Sequence, residues 1–237
     1  MLMASMFTKP EKASVYWGRT MNEVIQLGIK SLGLVIIMSF FMGSVLVIQT
    51  ATAIDSPFLP RYTVGFTLKQ SMILEFSSTI ISLILAGKIG SNIASELGTM
   101  RVSEQIDALD IMGVNSAGFL IAPKIIGAMI IFPLIVVFSM TFGFVGGAFI
   151  AETTNLVTLE DYLFGIRSFS EGNDFMLFYT LFKSVIFAFI ITSVSSYFGY
   201  NAKGGALEVG RASTDAVVYS SILILFFNVL VTQLMLI

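Results

Sequence analysis

Few residues in this chain are of the types that make or break covalent bonds. The 237 residues include no histidine and no cysteine. That removes the commonest general base and metal ligand, and with them thiolate chemistry and disulfides. Glu160 with Asp161, and Glu171 with Asp174, stand in a polar insertion and read as solvated loop acids rather than an acid–base pair. Glu75 differs, because the chain after it is uncharged as far as Lys88. An acid inside a membrane span is a functional candidate by default; one at headgroup depth simply touches water, and both positions suit Glu75. Gly199–Gly204 matches the first six positions of a phosphate-binding loop, but Gly205 and Ala206 stand where that motif needs Lys and Ser/Thr. Its flanks are apolar spans, not a strand and a helix, so the match is rejected. A chain with this inventory moves something, or borrows energy from a partner, rather than transforming a substrate.

The elements around these residues are membrane spans. Hydrophobic residues make up 56% of the chain and charged residues 12%, and mean hydropathy is +0.90. A soluble domain carries about twice that charge. The net charge of −2 gives no case for nucleic-acid binding. Spans of the ~20 residues a bilayer needs are expected at Leu32–Ile54, Met72–Ser91, Ile121–Ile150, Phe175–Phe198 and Ala216–Ile237. Pro57 and Pro60 end the first span, Lys88 reaches to the surface at the end of the second, and Pro123 and Pro133 bend the third or mark its start. Thr158 before Glu160 and Asp161 reads as a helix N-terminus, and Ser170–Asp174 as a turn. Gly199–Asp215 reads as a glycine-rich polar connection. Ala86, Gly90 and Ala94, and the pair Gly143 and Gly147, are small-residue stripes that allow helices to approach closely.

Within the spans the polar groups are sparse: Gln49, Glu75, Asn228 and scattered Ser and Thr. A lone channel or secondary transporter needs an ionisable path, and the near absence of buried charge argues against one. Phenylalanine and methionine abound instead, among them Met38, Phe40, Phe41, Phe138 and Met140. They suit packed or lipid-facing surface, or a pliable pocket for an acyl chain.

The most polar stretch of the middle of the chain is Ala86–Gly113, AGKIGSNIASELGTMRVSEQIDALDIMG. From Val102 its apolar residues recur at Ile106, Leu109 and Met112, which is helical spacing. Glu104 and Asp107 fill the first turn after Ser103, where the helix dipole favours acids, and Gly113 is the expected stop. A helix so short and charged lies at the membrane surface, where another protein can touch it. Near the N-terminus, Trp17, Met21, Val24 and Gly28 share a face, as in an amphipathic helix lying in the interface or a lead-in to the first span. The start MLMASMFTKPEKAS lacks the pattern of a cleaved signal peptide, so the first span directs insertion.

Five spans put the termini on opposite sides. Lys9, Lys12, Arg19, Lys30, Lys88, Arg101, Lys124, Lys203 and Arg211 fall in one set of loops; Arg61, Lys69, Arg167 and Lys183 fall in the other. The richer set is expected on the cytoplasmic side. That makes the N-terminus and the surface helix cytoplasmic and the C-terminus periplasmic.

Leu85–Val114, LAGKIGSNIASELGTMRVSEQIDALDIMGV, closely resembles the signature of the MlaE/YrbE family of permeases, and Gly199–Val218 resembles its second block. The likeness covers nearly the whole chain. It departs from the family pattern where Phe76–Ser78 and Asn115–Ala117 lack the usual prolines, and where Asn228 replaces an acid. The resemblance implies an all-α membrane protein: one permease domain over 1–237, with an interfacial helix in 1–31 and a five-span core in 32–237. It implies a permease subunit of an ABC transporter in the bacterial inner membrane, working as a homodimer. A cytoplasmic ATPase would bind ATP and magnesium, leaving this chain non-catalytic and without a cofactor. A periplasmic MCE-domain protein would exchange phospholipid or a related lipid with it. The helix between spans two and three would be the coupling helix, with Glu96, Arg101, Glu104, Gln105 and Asp107 carrying the coupling. Gln49, Glu75 and Asn228 would be candidates for lining the lipid pocket.

Overall fold

A computed structural model describes residues 13–54, 60–154, 156–168 and 173–236. The expected polar start at 9–12, the break at Pro57 and the beginning of the turn at Ser170 lie outside the described residues. The described residues are helical apart from short turns and connections. Five helices are long and apolar enough to cross a membrane: Tyr16–Ala53, Thr63–Val102, Ser116–Thr154, Asp174–Tyr200 and Ala206–Met235. Their outward side chains include Phe41, Leu134, Phe149, Phe178, Ile222 and Phe226, apolar surface of the kind that lipid covers. Of the expected phenylalanines and methionines, Met38, Phe41 and Phe138 are exposed and Met140 is buried.

Several boundaries differ from expectation, each for a local reason. The N-terminal helix Ala13–Glu23 does not break before the first span; it continues as a π-helical stretch, Val24–Ile29, into Lys30–Ala53. The second helix extends well past both ends of Met72–Ser91, with π-helical stretches at Met72–Ile80 and Ala86–Gly90. The glycine-rich connection shrinks to a few residues around Gly204, whose φ is +112°, because Ala206–Leu236 is already helical. Arg211 pairs with Glu208 at 2.7 Å in its first turns, and Ser213 Oγ donates to the Ser91 carbonyl at 3.1 Å.

The helix Ser116–Thr154 runs unbroken through both prolines. Pro123 has no N–H to offer the carbonyl four residues back, which is that of Phe119. Arg19 Nη1 donates to that carbonyl at 3.4 Å, and the guanidinium carbon lies 3.4 Å from the Phe119 ring centroid. A side chain thus takes the place of the missing backbone donor.

The chain divides into two compact units. One comprises residues 1–31, 82–132 and 184–237. In it the Ser91–Val102 and Ala86–Gly90 segments pack on Ala206–Leu236. Small residues set the spacing: a Cβ on Gly199 would sit 2.7 Å from the Ala94 carbonyl oxygen, and one on Gly90 2.9 Å from Ser195 Oγ. The stripe of Ala86, Gly90 and Ala94 is therefore a packing face.

The other unit comprises residues 32–81 and 133–183. Its core joins Val47, Val64, Leu68, Met72, Ala151, Val157 and Tyr162. Here the first and third spans meet almost backbone to backbone. A Cβ on Gly43 would fall 1.9 Å from the Gly143 oxygen, and one on Gly146 2.0 Å from the Phe40 oxygen. Ser39 and Ser139 hydroxyls hydrogen-bond at 2.8 Å across the contact, and Ser44 Oγ donates to the Gly146 carbonyl at 3.0 Å. Gly147 lies against Tyr162, Leu68 and Val47, so Gly143 and Gly147 form the close-packing face their spacing suggests. Thr158 caps Leu159–Arg167 by accepting from the Asp161 N–H, as expected from its position before two acids.

Candidate functional site

The polar stretch between the second and third spans forms a tight knuckle. The Ser91–Val102 helix ends at Ser103, whose hydroxyl donates back to the Thr99 carbonyl at 2.7 Å. Glu104 then turns into the left-handed region, φ 60° and ψ 12°. For a residue with a side chain this costs roughly 1–2 kcal/mol. Its carbonyl accepts from the Ala108 N–H at 2.9 Å and so starts a second helix, Gln105–Ile111. The expected first turn directly after Ser103 is thus shifted by one residue: Val102 closes one helix, and a strained Glu104 opens the next. Gly113, with φ +80°, ends it as expected.

Local bonds hold the knuckle. Arg101 Nη1 pairs with Asp107 Oδ1 at 2.6 Å, and Gln105 Nε2 donates to Ser103 Oγ at 3.0 Å. The Arg101 guanidinium stands 5.7 Å from the Tyr200 ring centroid, and Tyr200 OH bonds Ser116 Oγ at 2.8 Å. Ile106 is fully buried as the anchor, whereas Ile111 and Met112 are 86% and 69% exposed. The result is a fixed backbone turn that presents two apolar tips among acids. That is the composition of a protein-docking surface, where apolar groups supply contact and charges supply register.

Glu96 stands apart from these residues. Its carboxylate pairs with Lys124 at 2.8 Å, and Lys124 also pairs with Glu23 at 2.8 Å. Lys124 is 3% exposed, so one buried ammonium holds acids from the N-terminal helix and the second helix against the third.

In the other unit, Glu75 lies in the π-helical stretch Met72–Ile80. Its carboxylate accepts from Thr79 Oγ1 at 2.9 Å and from Lys183 Nζ at 3.0 Å. Lys183 is wholly buried and also donates to the Leu74 carbonyl at 3.2 Å and to Tyr179 OH at 3.1 Å. Thr180 Oγ1 donates to the Ile73 carbonyl at 2.6 Å. A π-helical turn displaces the regular i to i+4 ladder, and two neighbouring carbonyls in this turn accept from side chains of the fourth span. The expectation that charge is nearly absent from the interior is corrected here. Lys69, Lys124 and Lys183 are all buried. The first donates to the Ser168 carbonyl at 2.9 Å, and the other two are matched by acids, which is what makes a buried ammonium tolerable. The signal was in the sequence: a lysine inside an apolar helix calls for an acid on another.

The other two pocket candidates have plainer settings. Gln49 is exposed on the first span helix, and Asn228 is half-buried, with its carbonyl accepting from Thr232 Oγ1 at 2.7 Å. Gln49 and Glu75 belong to one unit and Asn228 to the other.

A family model described as permease MlaE matches residues 20–234. A probable ABC transporter permease protein of Rickettsia bellii is 36% identical over 220 residues, which is 93% of this chain and 84% of the relative. A probable ABC transporter permease protein of Synechocystis is 31% identical over 216 residues, 91% of this chain and 81% of the relative. The Arabidopsis thaliana chloroplastic protein trigalactosyldiacylglycerol 1 is 31% identical over 209 residues, 88% of this chain and 59% of the relative.

Proposed function

This chain belongs to the MlaE permease family and is a multi-pass membrane permease subunit, and on that premise we propose that it carries phospholipid or a related lipid between the inner membrane and a periplasmic MCE-domain protein. A separate cytoplasmic ATPase, holding ATP and magnesium, supplies the energy. Two copies of the chain form the membrane path, with the N-terminus cytoplasmic and the C-terminus periplasmic. The plant relative supports the cargo class, since its name is that of a glycolipid.

The observation that carries the reading is the knuckle at 103–113. A chain without a phosphate-binding motif needs a rigid place to receive work from an ATPase. A strained turn pinned by Arg101–Asp107, with Ile111 and Met112 exposed, supplies one. Glu104, Gln105 and Asp107 are exposed and Arg101 half-buried there, so these four belong to the coupling surface. Glu96 contributes from behind, through Lys124.

The test is charge reversal at the knuckle in the chain reconstituted with its ATPase and MCE partner in phospholipid vesicles. Lysine at position 104 meets the same backbone constraint as glutamate, so Glu104→Lys changes charge more than fold; Asp107 is kept, because it pairs with Arg101. The expected result is intact thermal stability with lipid transfer reduced at least tenfold per ATP hydrolysed. Unchanged transfer overturns the assignment.

A further inference from the structure

The unit that carries the knuckle also contains a polar cavity of about 550 Å³ that none of the roles above uses. This falls within the roughly 300–1,000 Å³ range of small-ligand sites. Its walls include Lys30, Lys88, Gln26, Asn92, Ser95 and Ser213, and among the described residues no carboxylate lines it. Two cations with amide and hydroxyl groups around them are the donor set for an oxyanion. Of the acids nearest along the chain, Glu23 and Glu96 are engaged by Lys124, and Asp215, two residues from Ser213, is exposed and stands outside the lining.

Three π-helical stretches occur among the described residues, and two of them form walls of this cavity. Gln26 comes from Val24–Ile29, which ends at Lys30, and Lys88 comes from Ala86–Gly90. Such turns widen a helix and occur frequently at functional sites. Gly87, beside Lys88, has open space where a side chain would stand.

The position along the spans narrows the ligand. Lys30 immediately precedes the charge-free run 31–54, and Lys88 ends the charge-free run 76–87. Lys88 Nζ donates to the Lys30 carbonyl, so the two lysines stand at the same end of their spans. The cavity therefore lies where apolar helix gives way to charge, which is headgroup depth. An ammonium that gives one proton to a carbonyl retains two more to donate.

We propose that this cavity binds a phosphate group, that of a phospholipid headgroup in the adjacent leaflet or of free phosphate. This is a headgroup site in addition to the membrane path proposed for two copies, and it rests on the permease reading only for the lipid source. It needs neither ATP hydrolysis nor transfer to be observed.

The test is native mass spectrometry of the full chain in neutral detergent. Phosphatidylglycerol, diacylglycerol or inorganic phosphate is added to wild type, to Lys30→Gln/Lys88→Gln, to Asn92→Asp and to Lys30→Arg/Lys88→Arg. Wild type and the arginine pair should each hold one more phosphatidylglycerol than the glutamine pair. The occupancy of that adduct should drop at least tenfold in the glutamine pair and in Asn92→Asp. Asn92→Asp alters charge without altering volume, which separates lost binding from lost fold. Diacylglycerol, which lacks the phosphate, should give no charge-dependent adduct. Displacement of phosphatidylglycerol by low-millimolar inorganic phosphate assigns the site to the free anion; persistence assigns it to the lipid. Equal phosphatidylglycerol occupancy in wild type, the glutamine pair and Asn92→Asp overturns the proposal. Failure of wild-type lipid transfer would instead overturn the permease reading and leave a charge-dependent adduct in place.

Discussion

Replacing Lys183 with methionine tests whether the buried ion pair stabilises the fold or merely survives in it. Methionine keeps most of the length of the side chain and removes the charge and its donors. The bonds lost include three: to Glu75 at 3.0 Å, to the Leu74 carbonyl at 3.2 Å and to Tyr179 OH at 3.1 Å. Two of these bonds run between helices, where they average about 0.6 kcal/mol each, and the bond to Tyr179, within the same helix, adds about 0.5–1 kcal/mol, which puts the three together near 2 kcal/mol. Removing one partner of a fully buried pair costs about 3–5 kcal/mol, but the Glu75 side chain is 41% exposed. The carboxylate left behind can turn outward, so the lower figure governs. A loss of about 2 kcal/mol corresponds to a factor of roughly 30 in the folded-to-unfolded ratio. Reversible unfolding in mixed micelles measures it, in a double-mutant cycle with Glu75→Gln. The expected coupling between the two positions is about 0.6 kcal/mol, the share of the one bond that joins them. A Lys183→Met protein as stable as wild type, or no measurable coupling, refutes the argument. It would show that desolvation of the ammonium cancels the bonds it makes.

The remaining predictions concern packing and burial. Gly43→Ala places a methyl 1.9 Å from the Gly143 carbonyl oxygen. Since backbone has no rotamer to yield, stability should fall by about 1–3 kcal/mol or more, whereas Gly33→Ala, which meets nothing within 4 Å, should be neutral or slightly stabilising in the same unfolding assay. Tyr162→Phe removes the hydrogen bond to the Phe144 carbonyl at 2.7 Å and should cost about 0.5–1.5 kcal/mol. Burial pushes the Tyr162 phenol well above its ordinary value. Above that ordinary value the unfolded chain ionises there while the folded chain does not, so stability falls as pH rises through and beyond pH ~10. The slope of stability against pH in that range should be shallower in Tyr162→Phe than in wild type.

The family signature and the five apolar helices were legible in the sequence because both are local. Hydropathy over about twenty residues decides whether a helix can span, and the run Leu85–Val114 carries its likeness in consecutive residues. Gly113 as a helix stop, Thr158 as a cap and Gly143 with Gly147 as a packing face were legible for the same reason: each depends on a residue and its near neighbours. What failed were boundaries and charges. The surface helix was expected to begin directly after Ser103, since the apolar periodicity from Val102 runs unbroken through Glu104, which instead turns left-handed. The region after Gly205 was read as loop on glycine and charge content, yet helix packing and Ser213 bonding to Ser91 draw it into the fifth helix.

The sequence by itself determined the class, the family and the order of spans, because the cost of exposing or burying backbone and apolar side chains is settled within each segment. Only the tertiary structure decided where the charges go. Lys183 meets Glu75 across 108 residues, and Lys124 meets Glu23 across 101 and Glu96 across 28. A lysine inside an apolar run calls for an acceptor, but the sequence does not say which one, since an ammonium stays in an apolar interior only when acceptors reach it. Whether they do depends on the register in which separate helices pack. The same register brings two π-helical turns together around Lys30 and Lys88, and periodicity along either helix alone does not encode that meeting.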